Sequence, residues 1–495
     1  MKVFLLFEIN VHRTGKEEIS SQNKRIKLTF NGRFNSPLKK AKLETNQKLS
    51  LLMLAIGDFL SVCALSIISP FFPAESARKG VSASISGLIF AVYALVVFVS
   101  SPIFGMQLPK IGAKPMFVFG AFVAGISNVI FIDRLNTFEI FVAASFTIRI
   151  VEALGASAHS VAAYVLVVDI FPDNIGTVRG LLETCVGLGL SAGPGIGGLL
   201  YGVGGFGLPF FVCGGIALFV AVVNVFILRK PQRNEFKPSG TMLSLIRLPP
   251  VLITCMITTL AAMSGSFLDP TLEPHMRKSV GQSLSGITSN LNVCLQFGLS
   301  PSQVGLLFLL SSATYGLCSP LWGWLSDRIK HYSWLMTTGL FGSALVLLLL
   351  GPSPLLTFLQ DSVWLKAVAL GGLGVSTAMT VIPTYQFMLD SAVNRGFAEN
   401  LGTHGMISGL WGSVYSLGEV IGPILGGTLM DNFNFSVTAT VLALLNFLLA
   451  IIALVYFKLN ALNSKADKAI HGTDSEAGGS AEKCGQKDNI SCVRF

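Results

Sequence analysis

Six ionisable side chains stand inside stretches that are otherwise apolar: Asp58, Arg149, Glu152, Glu183, Asp269 and Glu419. Insertion scales put the cost of a charge at the centre of a bilayer at about 2.5–3.5 kcal/mol, so such residues face a cavity or a partner. A carboxylate in a water-poor cavity attracts an ammonium group. Shielding from water also favours its neutral, protonated form. Acids predominate in the set against the single Arg149. That balance suits binding of a cationic cargo and exchange of protons.

Each residue carries its own reading. Asp58 lies about 9 residues into the first apolar segment, hence about 13 Å deep at 1.5 Å per residue. It reads as a substrate-binding carboxylate or as a helix-packing group. Asp269 precedes Pro270, which removes a backbone hydrogen bond and can leave carbonyls open to a ligand. It reads as a site for a second ammonium of an extended cation or for a proton; the plainer reading is an acid in contact with water near the mouth. Glu183 and Glu419 occupy related places in two repeats and read as proton-coupling groups, Glu419 alternatively as a rim residue. Arg149 and Glu152, three apart on one helix, are close enough to pair. They form either a neutralised structural pair or a proton relay. His159, about two turns beyond Glu152, reads as a buried, satisfied histidine in preference to a proton shuttle. Tyr93, Tyr385, Trp411 and Tyr415 offer aromatic faces to a cation, and Tyr385 and Tyr415 are the candidates for substrate contact. Gly193-Pro194 and Gly422-Pro423 sit in runs of glycine every four residues, a spacing that lets helices approach closely, and read as packing and gating positions.

These residues need helices to hold them at depth. Of the 495 residues, 52% are hydrophobic and 12% charged, with mean hydropathy +0.66. A soluble domain carries about 25% charged residues. Apolar runs long enough to span, about 20 residues, predict helices near 49–72, 84–107, 115–132, 138–168, 178–202, 207–228, 249–272, 302–325, 334–356, 362–389, 403–430 and 434–458. The expected class is an all-α membrane protein of twelve transmembrane helices in two six-helix, pseudo-symmetric bundles. The divisions are an amino-terminal tail 1–48, a bundle 49–228, a basic central loop 229–248, a second bundle 249–458 and a polar tail 459–495. The short apolar run at Val3–Phe7 is below the length of a signal-peptide core, so no cleaved signal is expected.

Most of the 35 Lys and Arg residues, Arg179 counted among them, fall on one side of this arrangement. The positive-inside rule then places both termini in the cytoplasm. The net charge of +9 is therefore read as topology and lipid contact, not as a nucleic-acid footprint. The chain also repeats itself. Gly87-Leu88-Ile89-Phe90 leads to Ser101-Pro102-Ile103-Phe104-Gly105 with the same spacing as Gly305-Leu306-Leu307-Phe308 leads to Ser319-Pro320-Leu321-Trp322-Gly323. Two halves in one orientation imply a two-fold axis along the membrane normal and a site between them. Neither a phosphate-binding Gly-rich loop, a zinc-binding helix nor a nucleophile elbow occurs in a credible context. The eight cysteines lack metal-ligand spacing. No enzyme activity and no cofactor are expected; a proton gradient would supply the energy.

Gly105…Lys110-Ile111-Gly112-Ala113-Lys114, with Pro109 where an acid is usual, resembles the loop motif of the major facilitator superfamily. Gly323-Trp324-Leu325-Ser326-Asp327-Arg328 resembles its second copy and keeps the acid. Arg149-Ile150-Val151-Glu152-Ala153-Leu154-Gly155 and Gly189-x-x-x-Gly193-Pro194-x-x-Gly197-Gly198 resemble motifs of its proton-coupled antiporters. Ser69-Pro70-Phe71-Phe72-Pro73, Leu182-Glu183-Thr184, Phe267-Leu268-Asp269-Pro270-Thr271-Leu272 and Ile382-Pro383-Thr384 resemble the polyamine branch of its vesicular amine transporters. The resemblance implies proton-driven antiport of polyamines such as spermidine or spermine into acidic intracellular vesicles, by a functional monomer. The roles of individual acids are not inherited. The amine-binding Asp of the monoamine branch falls on Ser61, and its coupling Asp on Ala378. Residues 279–295 look like extra sequence in a loop. A broad monoamine or drug/proton antiporter is the alternative cargo reading, and a non-transporting sensor or scaffold the alternative class.

Overall fold

A computed structural model describes residues 45–69, 71–131, 137–228, 240–272, 275, 301–351, 353 and 362–484. The amino-terminal tail through residue 44, the central loop 229–239, the 279–295 segment and residues 485–495 lie outside the described residues.

The described chain is helical throughout. The elements are α1 (Thr45–Ser66), α2 (Phe72–Arg78), α3 (Ala83–Ile111), α4 (Ala113–Ile130), α5 (Phe138–Ile170), α6 (Ile175–Gly204), α7 (Gly207–Ile227), α8 (Met242–Ile246), α9 (Pro249–Ser266), α10 (Pro301–Ile329), α11 (Tyr332–Leu350), α12 (Val363–Val393), α13 (Leu401–Asn432) and α14 (Phe435–Cys484). In a bilayer every backbone polar group must be satisfied within the segment, which the helix achieves by itself. Among the described residues, ten helices are long and apolar enough to span. α13 falls below that mark for a physical reason: its first eleven residues are all buried, so small and polar side chains replace the apolar ones that lipid contact requires.

Three features depart from the sequence-based expectation. The first apolar run breaks after Ser66, and Phe72 starts the separate helix α2. Phe72 packs with Phe90, Phe131, Phe141 and Phe206, so its ring anchors the turn to the bundle end. The short α8 stands in the central loop, held by reciprocal hydrogen bonds between Thr241 and Ser244. The polar carboxyl tail continues α14 as helix as far as Cys484.

The two halves repeat the same packing. α1 lies against α6, and α9 against α13. A side chain at Gly193 would strike Ser66, and one at Gly422 would strike Ser266. Ser66 Oγ donates to the Gly189 carbonyl at 3.1 Å, and Ser266 Oγ to the Gly418 carbonyl at 3.2 Å. Pro194 and Pro423 follow these contacts without interrupting α6 or α13. The glycine ladders therefore join helices within each half. Between the halves, α6 runs beside α10, and α3 beside α13.

Candidate functional site

α1, α5 and α6 enclose a cavity with about 420 Å³ of empty space, lined by Asp58, Ser61, Ser160, Tyr164, Arg179 and Glu183 among others. α1 supplies Asp58 one turn before Ser61, because residues three apart share a helix face. α6 supplies Arg179 and Glu183 by the i,i+4 spacing, with Arg179 Nε 3.8 Å from Glu183 Oε1. Glu183 also accepts a hydrogen bond at 2.8 Å from the Tyr315 hydroxyl of α10, in the other half. Asp58 keeps a partly open side chain, 15% exposed, so its carboxylate is the accessible acid of the cavity.

Arg179 corrects the sequence reading. Counted there with the loop cations, it is 2% exposed. Its guanidinium lies 4.2 Å from the Trp411 ring centroid, 4.5 Å from Tyr164 and 5.0 Å from Tyr385. Aromatic faces attract a cation at these distances, most strongly when it is desolvated. Tyr164 stacks on Tyr385 at 5.3 Å, Trp411 stacks on Tyr415 at 5.2 Å, and Trp411 Nε1 donates to Thr384 Oγ1. Tyr164 belongs to one half and Tyr385, Trp411 and Tyr415 to the other, so one buried cation ties both halves at the cavity wall. Tyr385 thus stands beside Arg179, Tyr415 lies one ring further out against Trp411, and the candidate Asp58 shares the Arg179 cavity. The hidden signal was the Arg179–Glu183 spacing. The turn residues just before it, Phe171 to Asn174, made the position look like a loop.

A second polar cluster lies deeper in the first half. Arg149 Nη1 donates to Glu152 Oε2 at 2.7 Å, and Asn128 Nδ2 donates to Glu152 Oε1 at 3.0 Å. The Arg149 guanidinium sits 4.9 Å from the Tyr93 ring. Arg149 and Glu152 are 1% and 3% exposed, so the charges are paired within protein. His159 is buried, as the sequence predicts, and faces Asp58, with Nε2 3.4 Å from Asp58 Oδ1.

The remaining candidates are not gathered here. Asp269 is exposed in the helical turn that follows α9, and it lines neither this cavity nor the one behind His159. Glu419 is half-buried on α13, with Ser416 Oγ donating to it at 3.4 Å. Gly193, Pro194, Gly422 and Pro423 lie on the seams inside each half.

A sequence model of the family described as Major Facilitator Superfamily matches residues 54–295 and again 254–478. The MFS-type transporter SLC18B1 of Rattus norvegicus is 37% identical over 445 residues, which cover 88% of this chain and 93% of that protein. The synaptic vesicular amine transporter of Bos taurus is 24% identical, over 74% of this chain and 64% of its own. The crystal structure of the human organic anion transporter MFSD10 (TETRAN) superposes with a TM-score of 0.61 at 15% identity, covering 83% of this chain and all of that one; at that identity the likeness concerns the fold. The matches cover both helical halves, and the chain belongs to the major facilitator superfamily, as a multi-pass membrane transporter related to SLC18B1 and more distantly to the vesicular amine transporters.

Proposed function

We propose that the protein is a proton-coupled antiporter of organic polycations, with polyamines such as spermidine and spermine as cargo. The observation that carries this reading is the cavity in which the accessible Asp58 and the buried Glu183 stand beside the Tyr164 ring. Such a site offers an ammonium group a counter-charge and ring faces. Glu419 and Asp269 place two more acids in the other half, which suits a cargo with several amines spaced along a chain. The name of the vesicular amine transporter relative supports an amine as cargo. Exchange would proceed by rocking of the two halves about the cavity, with no bound cofactor and the proton gradient as energy source. The working location is an acidic intracellular vesicle, with both termini in the cytoplasm and the protein acting as a monomer.

The Tyr164 ring and the apolar lining of Val62, Leu182 and Val186 favour, as a second reading, a single hydrophobic amine or drug cation. One experiment decides. Purified full-length protein in proteoliposomes with an acidic interior takes up labelled spermidine, and unlabelled spermine competes better than monoamines or hydrophobic cations. Absence of uptake in correctly oriented protein rejects the antiport reading, and the reverse order of competition moves the cargo to the second.

A further inference from the structure

His159 is joined to two oxygen atoms at once. Its Nδ1 lies 3.4 Å from the Phe117 carbonyl of α4, and its Nε2 lies 3.4 Å from Asp58 Oδ1 of α1. A neutral imidazole carries a single N–H, while the imidazolium carries two. A carbonyl and an ionised carboxylate are both acceptors. With its N–H toward the Phe117 carbonyl, a neutral imidazole sets the Nε2 lone pair 3.4 Å from an ionised carboxylate oxygen, a contact of proximity without hydrogen-bond alignment that a further proton on either group relieves. The histidine is 2% exposed, with its ring against the Phe117 ring at 4.1 Å and close to Gly57.

Asp58 and His159 also face different spaces. Asp58 lines the cargo cavity between α1, α5 and α6. His159 lines a second cavity, with about 440 Å³ of empty space, between α1, α4, α5 and α7. Asn128 and Asn224 line this second cavity, 3% and 1% exposed. Both polar atoms of the Asn224 carboxamide lack a protein partner, and buried groups of this kind hold water. The cavity runs from His159 to Asn128, which donates to Glu152 behind the cavity wall.

We propose that His159 is the proton-carrying partner of Asp58, and that its proton is exchanged through the α1–α4–α5–α7 cavity while the cargo reaches the same carboxylate from the α1–α5–α6 cavity. The proposal deepens the antiport reading and rests on it for the identity of the cargo. An arriving ammonium group supplies Asp58 with donors and positive charge. It repels the imidazolium, an N–H bond of His159 breaks with the electron pair staying on nitrogen, and the proton passes to water held in the second cavity by the Asn224 carboxamide. Cargo departure reverses the step. The charged and titratable groups around the pair are Asp58 on α1, Tyr164 on its own helix, Arg179, Glu183 and Cys185 on α6, and Cys213 on α7; α4 contributes the Phe117 carbonyl and ring. Arg179 is compensated by Glu183 at 3.8 Å, which leaves Asp58 as the acid available to His159.

Two measurements on the full-length protein test this. Spermidine binding to the wild type, followed with a pH indicator, releases a proton, and affinity falls as pH is lowered. In His159→Gln the release is lost and the pH dependence of affinity shrinks by about tenfold, inside the 5–150-fold range usual for linked sites. Release and pH dependence equal to the wild type's overturn the proposal. The second measurement needs no cargo: nitrogen-15 spectra of histidine-labelled protein across pH, with the His159 signal assigned by its loss in His159→Gln. In Asp58→Asn the pH dependence of the His159 signal differs from the wild type's. An unchanged titration overturns the proposal even if spermidine is carried. Failure of the wild type to bind spermidine, with a shifted titration in Asp58→Asn, rejects polyamine as cargo and leaves the proton pair standing.

Discussion

The two seams between the halves use different chemistry. Where α6 meets α10, Asp327 at the end of α10 clasps the start of α6: Oδ1 accepts from the Gly176 N–H at 2.9 Å, and Oδ2 accepts from the Thr177 N–H and hydroxyl, each at 2.7 Å. Thr184 Oγ1 donates to the Gly316 carbonyl at 2.7 Å further along. A carboxylate at a helix start satisfies free N–H groups and the helix dipole together. Where α3 meets α13, the corresponding acid is absent, because Pro109 occupies its place. There Gly105 faces Gly405 and Gly409, and the start of α13 is capped from within by Asn400, whose Oδ1 accepts from the Thr403 N–H at 3.0 Å. One seam is held by directional, charge-assisted bonds that are lost on separation. The other is held by close fit of backbones and by isolated bonds such as Ser413 Oγ to the Phe98 carbonyl at 2.8 Å. Related helix pairs in a duplicated fold have thus reached similar proximity by separate physical routes.

The difference can be attacked at both seams with one readout, hydrogen exchange at the starts of α6 and α13. The largest effect is expected for Asp327→Ala. Losing three bonds to a charged acceptor costs about 2 kcal/mol or more, so exchange of the Gly176 and Thr177 amides rises by roughly 30-fold while α13 is unaffected. Equal acceleration at both seams would show that they open as one unit. Gly405→Leu comes next. Its side chain would meet the Gly105 carbonyl and Leu108, and overpacking of this kind costs about 1–3 kcal/mol. Exchange should rise at α13, and the melting temperature should fall. The smallest effect is expected for Asn400→Ala, about 1 kcal/mol for a lost cap, read at the Thr403 amide. Adding Pro109→Asp to that variant should restore part of the protection, about 0.3–1 kcal/mol, if the internal cap has taken over from the missing acid. No restoration would mean that the α3 end is aimed elsewhere.

Much of the architecture was legible in sequence because it rests on local rules. The run lengths, the charge asymmetry and the glycine spacing each follow from the chemistry of a single helix in lipid. The pairing of Gly193 with α1 and Gly422 with α9 needed only the repeat to be suspected. The site was less legible. Asp58 stood out as an acid in an apolar run. Arg179 did not, because a cation one turn into a helix and just after a turn looks like a topology signal until three aromatic rings from two halves close on it. Asp269 was open to two readings, a binding acid or an acid in contact with water near the mouth, and its exposed place in the turn after α9 is compatible with both.

By itself, then, the sequence determined the helical class, the duplication and the presence of acids within apolar segments, since hydrophobicity and spacing act along one chain segment at a time. Only tertiary structure decided which charges meet. Asp58 with His159, Glu183 with Tyr315 and Asp327 with Gly176 are brought together from separate helices. A charge in a low-dielectric interior has the role its neighbours give it, and those neighbours lie far away along the chain.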